Sequence, residues 1–197
     1  MNTDPAPAFA LWITVGLLAA LRLFELGLSA RHLPTLRARG AVERGRSHFA
    51  GFVALHTLFP LALALEVFSG GARPPAFWPW LLVPVGLAEV MRIAAMRALG
   101  DRWHVRVWVV PGEPPIRRGI YRWLAHPNYV AVVLEFATLP LLFGAWRTAI
   151  AASLFNAALL VLRLRVEERA LAWAAATPPE PGTFPERGAG ADPDGLR

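Results

Sequence analysis

His126-Pro127-Asn128-Tyr129 and, nearly forty positions later, Arg163-Leu164-Arg165-Val166-Glu167-Glu168 bracket the part of this chain that decides the fold. Between them lie two short apolar runs, about 129–143 and 148–162, parted by Gly144-Ala145-Trp146-Arg147. Two helices joined by so short a connection form an antiparallel hairpin. Both runs are apolar enough for lipid, and the charged and aromatic residues gather where the free ends of the hairpin meet. Ionisable groups at such a place are costly, and they predict a site where a polar cofactor meets an apolar substrate at the membrane surface.

Outward from the hairpin the rest of the chain reads the same way. Of 197 residues 55% are hydrophobic, and the mean hydropathy of +0.42 is too high for an ordinary soluble domain. Three further apolar runs, about 9–29, 49–68 and 77–99, approach or reach the roughly 20 residues a bilayer span requires. The fold class predicted is an all-α integral membrane protein of about five transmembrane helices. Its C-terminal hairpin carries a cofactor pocket at the cytoplasmic face, and residues 1–176 form one membrane-embedded unit. Pro140 removes a backbone hydrogen bond near the end of the fourth span. The segment 177–197, rich in Pro, Gly and charge, predicts a disordered tail. No cysteine is present, which excludes disulfides, thiolate nucleophiles and Cys-based metal sites, and no metal is expected.

All basic residues are arginines, giving a net charge of +6. They lie between the apolar runs, where they report topology and contact with membrane lipid, and no separate basic domain suggests nucleic acid. Arg31, Arg37, Arg39, Arg44 and Arg46 fill the first connection; Arg102, Arg106, Arg117, Arg118 and Arg122 fill the third; Arg163, Arg165 and Arg169 follow the last span. The other connections hold only Arg73 and Arg147. The positive-inside rule puts the basic ends in the cytoplasm and the N-terminus outside, which five spans satisfy. The first span lacks a basic leader and a small-residue cleavage site, so it reads as a retained helix.

Inside the spans stand Arg22, Glu25, His56, Glu66, Glu89, Arg92 and Glu135. Arg22/Glu25 and Glu89/Arg92 are spaced i, i+3 and are positioned to neutralise each other on one helix face. Arg22, Glu25 and His56 fall on the half nearer His126, which suggests a polar cavity there. The segment 103–110 alternates in part before the turn Pro111-Gly112-Glu113-Pro114-Pro115, so it predicts an extended or re-entrant stretch over the mouth of the helices.

The run Arg118-Gly-Ile-Tyr121-Arg-Trp-Leu-Ala-His126-Pro-Asn-Tyr129-Val, with Glu135, Pro140 and Arg163-Leu-Arg-Val-Glu167-Glu168-Arg-Ala-Leu, resembles the isoprenylcysteine carboxyl methyltransferase family over about residues 100–172. It is similar in particular to a bacterial branch associated with methylating alkylresorcinols and alkylpyrones. Arg22-Leu-Phe-Glu25, the basic turn 37–43, His48 and His56 fit that branch as supporting matches. The resemblance implies a multi-pass enzyme of the bacterial inner membrane that uses S-adenosyl-L-methionine. By position it implies cofactor contacts at Tyr121, His126, Pro127, Asn128, Tyr129, Glu167 and the adjoining Glu168. The loop around Arg106 and 113–116, including Pro115 and Ile116, would add backbone contacts. Arg163 matches a position expected to touch substrate. One departure stands out: the family usually has Arg before His-Pro, where this chain has Ala125, with Arg122 about one turn away.

Elementary chemistry fits that assignment. Glu167 accepts from an ammonium or a ribose hydroxyl, and Tyr121 and Tyr129 offer faces to a sulfonium. Arg163 and Glu167, at i, i+4, point from one helix face, as His126 and Tyr129 do at i, i+3. Singly, each signal has an ordinary explanation: Pro127 is a good first helical residue, Glu167-Glu168 suits a solvated helix end, and Trp and Tyr near span ends form an interfacial belt. Their joint spacing across one hairpin is what points to a site. Two other readings are an NADPH-dependent membrane reductase of related fold, with Arg117, Arg118 and Arg122 on a phosphate, and a non-catalytic membrane scaffold. The acceptor expected is a lipophilic molecule methylated on oxygen. A carboxylate needs no base, whereas a resorcinol hydroxyl, with a pKa near tyrosine's value of about 10, profits from one. His48, His56 and Glu135 are the candidate bases; His56 and Arg163 are the candidate catalytic residues, and Arg22, Glu25 and Arg163 the candidate substrate contacts.

Overall fold

The computed structural model describes residues 5–70 and 72–178, apart from the side chains of residues 5–7, 47 and 48. The tail expected beyond 178 therefore lies outside the described residues, as does the side chain of His48. Five helices are present: α1 (Pro5–Ala38), α2 (Arg46–Phe68), α3 (Trp78–Leu99), α4 (Pro127–Leu142) and α5 (Trp146–Ala176). Four stretches, Ala8–Ala38, Phe49–Phe68, Trp78–Arg102 and Trp146–Ala176, are long and apolar enough to cross a bilayer. At 16 residues α4 spans about 24 Å, short of the roughly 30 Å hydrocarbon core. Two prolines bound it, Pro127 at its first position and Pro140 near its end.

Both α1 and α5 run well past the expected spans. The bilayer limits how long a helix must be apolar, not how long it stays helical; beyond the apolar part, Arg, Leu, Glu and Ala continue it as good helix formers. Large apolar side chains remain exposed along the helices, among them Leu17, Leu23, Leu58, Leu65, Trp80, Val83, Val90 and Leu154. So wide an apolar belt is not sustained in water and is the lipid-facing surface.

The core is a seam between α2, α4 and α5, with Leu11 of α1 packed against it. Phe52, Leu55, Phe59 and Leu63 meet Val132, Phe136, Leu139, Leu159 and Leu160. Phe59 and Phe136 pack edge to face with centroids 4.6 Å apart. Against α3, α4 packs closely through small residues, Ala88, Ala95 and Ala131. The α4–α5 turn needs Gly144, whose φ is +73° and whose missing Cβ leaves room for the Arg73 backbone. No side chain of its own caps α5. Glu66 of α2 does so instead, accepting from Arg147 N–H (3.1 Å), Thr148 N–H (2.7 Å) and the Thr148 hydroxyl (2.6 Å). A carboxylate at a helix N-terminus satisfies orphan donors and meets the positive end of the dipole.

At the arginine-rich end the connections form a strap. β1 (Val42–Arg44) pairs antiparallel with β2 (Val107–Val109), in register Val42 to Val109. This is the extended stretch expected over 103–110, and it ties back to α1: His32 Nδ1 lies 2.9 Å from the Trp103 carbonyl, and Val105 N–H donates to Ser29 Oγ at 3.0 Å. The turn after β2 is clamped by Glu113, which accepts from both Arg39 and Arg102, while Arg102 also donates to the Pro114 carbonyl at 3.0 Å. Gly112 N–H reaches the Ala174 carbonyl at 2.8 Å, closing the strap onto α5.

Candidate functional site

Beneath the strap lies a cavity of about 1170 Å³. That exceeds the roughly 300–1,000 Å³ of a typical single-ligand pocket. Its upper wall is the strap, the 113–117 turn and the Tyr121–Tyr129 segment, closed by Glu167 and Leu171 of α5. Its lower part runs between α1, α2 and α4, past Val15, Leu18, Phe59, Pro60 and Val132. One end is therefore polar and aromatic, and the other is apolar except where Arg22, Glu25, His56 and Glu135 reach its wall.

The hairpin builds the polar end as its spacing predicts. His126 and Tyr129 stack with rings nearly parallel (2°) and centroids 5.2 Å apart. From α5, Glu167 accepts the Tyr129 hydroxyl on Oε2 and lies 3.5 Å from His126 Nδ1 on Oε1. Arg163, one turn earlier, donates from Nε to the same hydroxyl at 2.9 Å, and its guanidinium lies over the rings of Tyr129 (5.5 Å) and Phe52 (5.2 Å). No hydrogen bond or ion pair among the described residues engages its two Nη atoms. The Glu167 hydrogen bond raises the His126 pKa above the ordinary histidine value, against partial burial, with Glu167 and Glu168 charges adding to the effect. Tyr121 is pushed up by burial and then by Glu167, so it remains a neutral phenol.

Lower in the cavity an ion network joins three helices. Arg22 pairs with Glu25 (2.8 Å), as its spacing predicts, and also reaches Glu135 of α4 at 3.0 Å. Arg92 of α3, wholly buried, bonds Glu25 (3.1 Å) and Glu135, with Glu89 farther off at 3.4 Å. The expected Glu89/Arg92 pair is therefore the weaker of Arg92's contacts, because its side chain points across to α1 and α4. Arg22 and Arg92 balance Glu25 and Glu135, which makes so many charges tolerable in a membrane protein. His56 faces the same space. Its Nδ1 is 2.8 Å from the Phe52 carbonyl, and its Nε2 is buried with no hydrogen-bond partner among the described residues.

Thus Arg22, Glu25, His56, Arg106, Pro115, Ile116, Tyr121, His126, Asn128, Tyr129, Arg163 and Glu167 all line one cavity. Two of the expected residues do not. Glu168 is exposed, since the next residue along a helix is turned by about 100° from Glu167. Pro127 is buried and acts by starting α4. Glu25 has an oxygen on each of two guanidinium groups, and Arg106 pairs with Glu43 at 2.9 Å while lying 4.4 Å over the Phe49 ring. Hydrogen bonds from Arg106 and Arg46 outweigh burial and hold the Glu43 carboxyl below its usual pKa. Ala125 and Arg122 both line the cavity, and Arg122 lies 5.3 Å over Trp123. Sequence reasoning missed the clamp residues Arg39 and Arg102 and the bridging role of Arg92; the partners of Arg39 and Arg92 lie far away along the chain, and Arg102 meets Glu113 across a turn.

Over 160 residues the chain is 34% identical to the uncharacterized protein YpbQ of Bacillus subtilis strain 168, covering 81% of this chain and 95% of that protein. It is 25% identical over 160 residues to an uncharacterized protein of Haemophilus influenzae strain Rd, covering 81% and 93% respectively. No solved structure matches. Residues 80–173, which hold α3, β2, α4 and most of α5, match the model of the isoprenylcysteine carboxyl methyltransferase family. With its apolar helices and its His126–Tyr129–Arg163–Glu167 cluster, this chain belongs to the isoprenylcysteine carboxyl methyltransferase family of membrane proteins.

Proposed function

We propose that the protein transfers a methyl group from S-adenosyl-L-methionine to an oxygen of a lipophilic acceptor. The observation that carries this reading is the two-ended cavity, with a polar, aromatic end continuous with a chamber between α1, α2 and α4 that is apolar apart from Arg22, Glu25, His56 and Glu135. The polar end suits a cationic ligand rich in hydrogen-bond donors. Glu167 supplies a carboxylate, Tyr121 and Tyr129 supply ring faces, and the buried Asn128 Oδ1 has no donor among the described residues. Bound there, the cofactor supplies an activated methyl group. The protein's share is to orient the acceptor and exclude water, and positioning of this kind accounts for much of the acceleration in bimolecular transfers. Arg163 stands between the two ends, with Nη donors free to meet an oxyanion. The arginine-rich ends of the helices support a cytoplasmic orientation for this face, in a bacterial inner membrane.

Isothermal calorimetry of the purified protein against S-adenosyl-L-methionine and NADPH tests the reading, together with transfer of a labelled methyl group to prenylcysteine, alkylresorcinol and alkylpyrone acceptors. S-adenosyl-L-methionine is expected to bind, and Glu167→Ala and His126→Ala to lose that binding. Binding of NADPH alone would favour a reductase; binding of neither would favour a scaffold. Reporter fusions at Arg39 and Arg118 are expected to read cytoplasmic and one at Ala145 external; an external residue 118 overturns the orientation.

A further inference from the structure

We infer that a second, smaller groove, at the arginine-rich end of α3, binds the phosphate headgroup of an anionic phospholipid. This inference is independent of the methyl-transfer reading. The groove holds about 410 Å³ and is lined by Arg39, by Leu99, Asp101 and Arg102 at the end of α3, and by the 114–118 turn. The chain builds it from the end of the helix. Gly119 carries no Cβ and so lets the turn close onto Ala98. That approach brings Arg118 Nε within 3.0 Å of the Ala98 carbonyl, one of the last in α3.

The charges around the groove do not cancel. Arg39 donates to Asp101 at 3.0 Å and to Glu113, and Arg102 donates to Glu113 and to the Pro114 carbonyl. Those two cations are thus balanced by two carboxylates. Arg117 and Arg118 are both exposed and have no acid: among the described residues, no hydrogen bond or ion pair engages the Arg117 guanidinium or the Nη atoms of Arg118. Two guanidinium groups side by side offer planar, weakly hydrated donor forks, which suit phosphate oxygens. The Asp101 carboxylate also lines the groove and opposes any second negative charge, which favours a singly charged phosphodiester.

The surroundings point to a lipid as the source of that phosphate. The groove lies where the spanning stretch Trp78–Arg102 ends, at the depth of headgroups. Leu99, Pro115 and Ile116 give it an apolar side for a glycerol backbone and the first acyl carbons. Trp123, a few residues on, is 82% exposed, with the Arg122 guanidinium 5.3 Å over its ring. An indole so bare suits the membrane interface, where one side is apolar and the other wet. Basic pockets at this level are suited to anionic headgroups.

The test uses the full-length protein in neutral detergent, with phosphatidylglycerol, phosphatidylcholine of the same acyl chains and inorganic phosphate as probes. Native mass spectrometry counts retained lipid, and tryptophan fluorescence follows melting. Wild-type protein is expected to retain one phosphatidylglycerol in preference to phosphatidylcholine, and to melt higher when it is added. Arg117→Gln/Arg118→Gln is expected to weaken that binding about thirtyfold, whereas Arg117→Lys/Arg118→Lys keeps most of it. Arg118→Gln retains an N–H for the Ala98 carbonyl. If the double variant folds poorly, Arg117→Gln alone is expected to lose about fivefold. Arg31→Gln, at an exposed arginine of α1 that lines neither cavity, is the control and should bind as the wild type does. Equal retention of both lipids, or an equal loss in Arg31→Gln, would reduce the groove to diffuse surface charge and overturn the inference. Displacement of the lipid by inorganic phosphate at equal concentration would overturn it too, by making the ligand a soluble anion. Displacement by NADPH would do the same and assign these arginines to a nucleotide.

Discussion

Replacing Arg92 with methionine tests the view that the ion network, and not apolar packing alone, fixes how α1, α3 and α4 meet. Arg92 is completely buried, with Nη1 on Glu25 at 3.1 Å, Nη2 on Glu135 and Nε 3.4 Å from Glu89. Methionine keeps most of the apolar stem but leaves two buried carboxylates sharing Arg22 alone. Removing one partner of a buried pair costs about 3–5 kcal/mol, because the other charge stays desolvated. For a domain of this size each kcal/mol moves the melting temperature by about 2–4 °C, so a fall of roughly 6–20 °C is expected. The assay is tryptophan-fluorescence melting in detergent at fixed protein and lipid concentration. Glu135→Gln in the same background removes one surplus charge, so Arg92→Met/Glu135→Gln should recover part of the loss, a non-additive result expected of residues in contact. An Arg92→Met protein that melts with the wild type, or a double variant less stable than either single one, would refute the reasoning.

Arg163→Leu should lower methyl transfer roughly tenfold or more, since a charge-assisted hydrogen bond is worth about 1.5–3 kcal/mol, while calorimetric cofactor affinity changes much less. If cofactor binding vanishes instead, Arg163 holds the cofactor and the acceptor contacts must be sought nearer Arg22 and His56. His126 has a raised pKa in the folded protein through Glu167, so the stability it adds is complete below about pH 6.5 and is lost as pH rises through the folded value. Melting temperature should therefore decline across that rise in wild-type protein and decline less in His126→Gln; parallel profiles would count against the contact. Gly144→Ala puts a Cβ into the Arg73 backbone at positive φ and should cost more than about 1 kcal/mol, read as a lower melting temperature with an unchanged far-ultraviolet helix signal.

Much of this molecule follows from local chemistry. Continuous apolar runs specify membrane helices wherever they occur, because each backbone group must be satisfied within its own segment. Gly144 and its neighbours specify a tight hairpin, and the helical repeat alone puts Arg163 with Glu167, while His126 meets Tyr129 as the residue that caps α4. Other features depended on how the helices turn about their own axes. A soluble helix advertises its buried face by amphipathicity, but these are apolar nearly all round, and lipid and protein neighbours are equally acceptable to leucine. So Arg92 keeps its expected neighbour Glu89 at 3.4 Å, and the assembled helices add Glu25 and Glu135. The strap's anchor Arg39 on Glu113 and the β1–β2 pairing join segments roughly sixty or more residues apart, too far for any local pattern to register. The sequence by itself determined which residues are polar in an apolar chain; tertiary packing decided which charges cancel, because hydrogen bonds between helices exist only once their rotations are fixed.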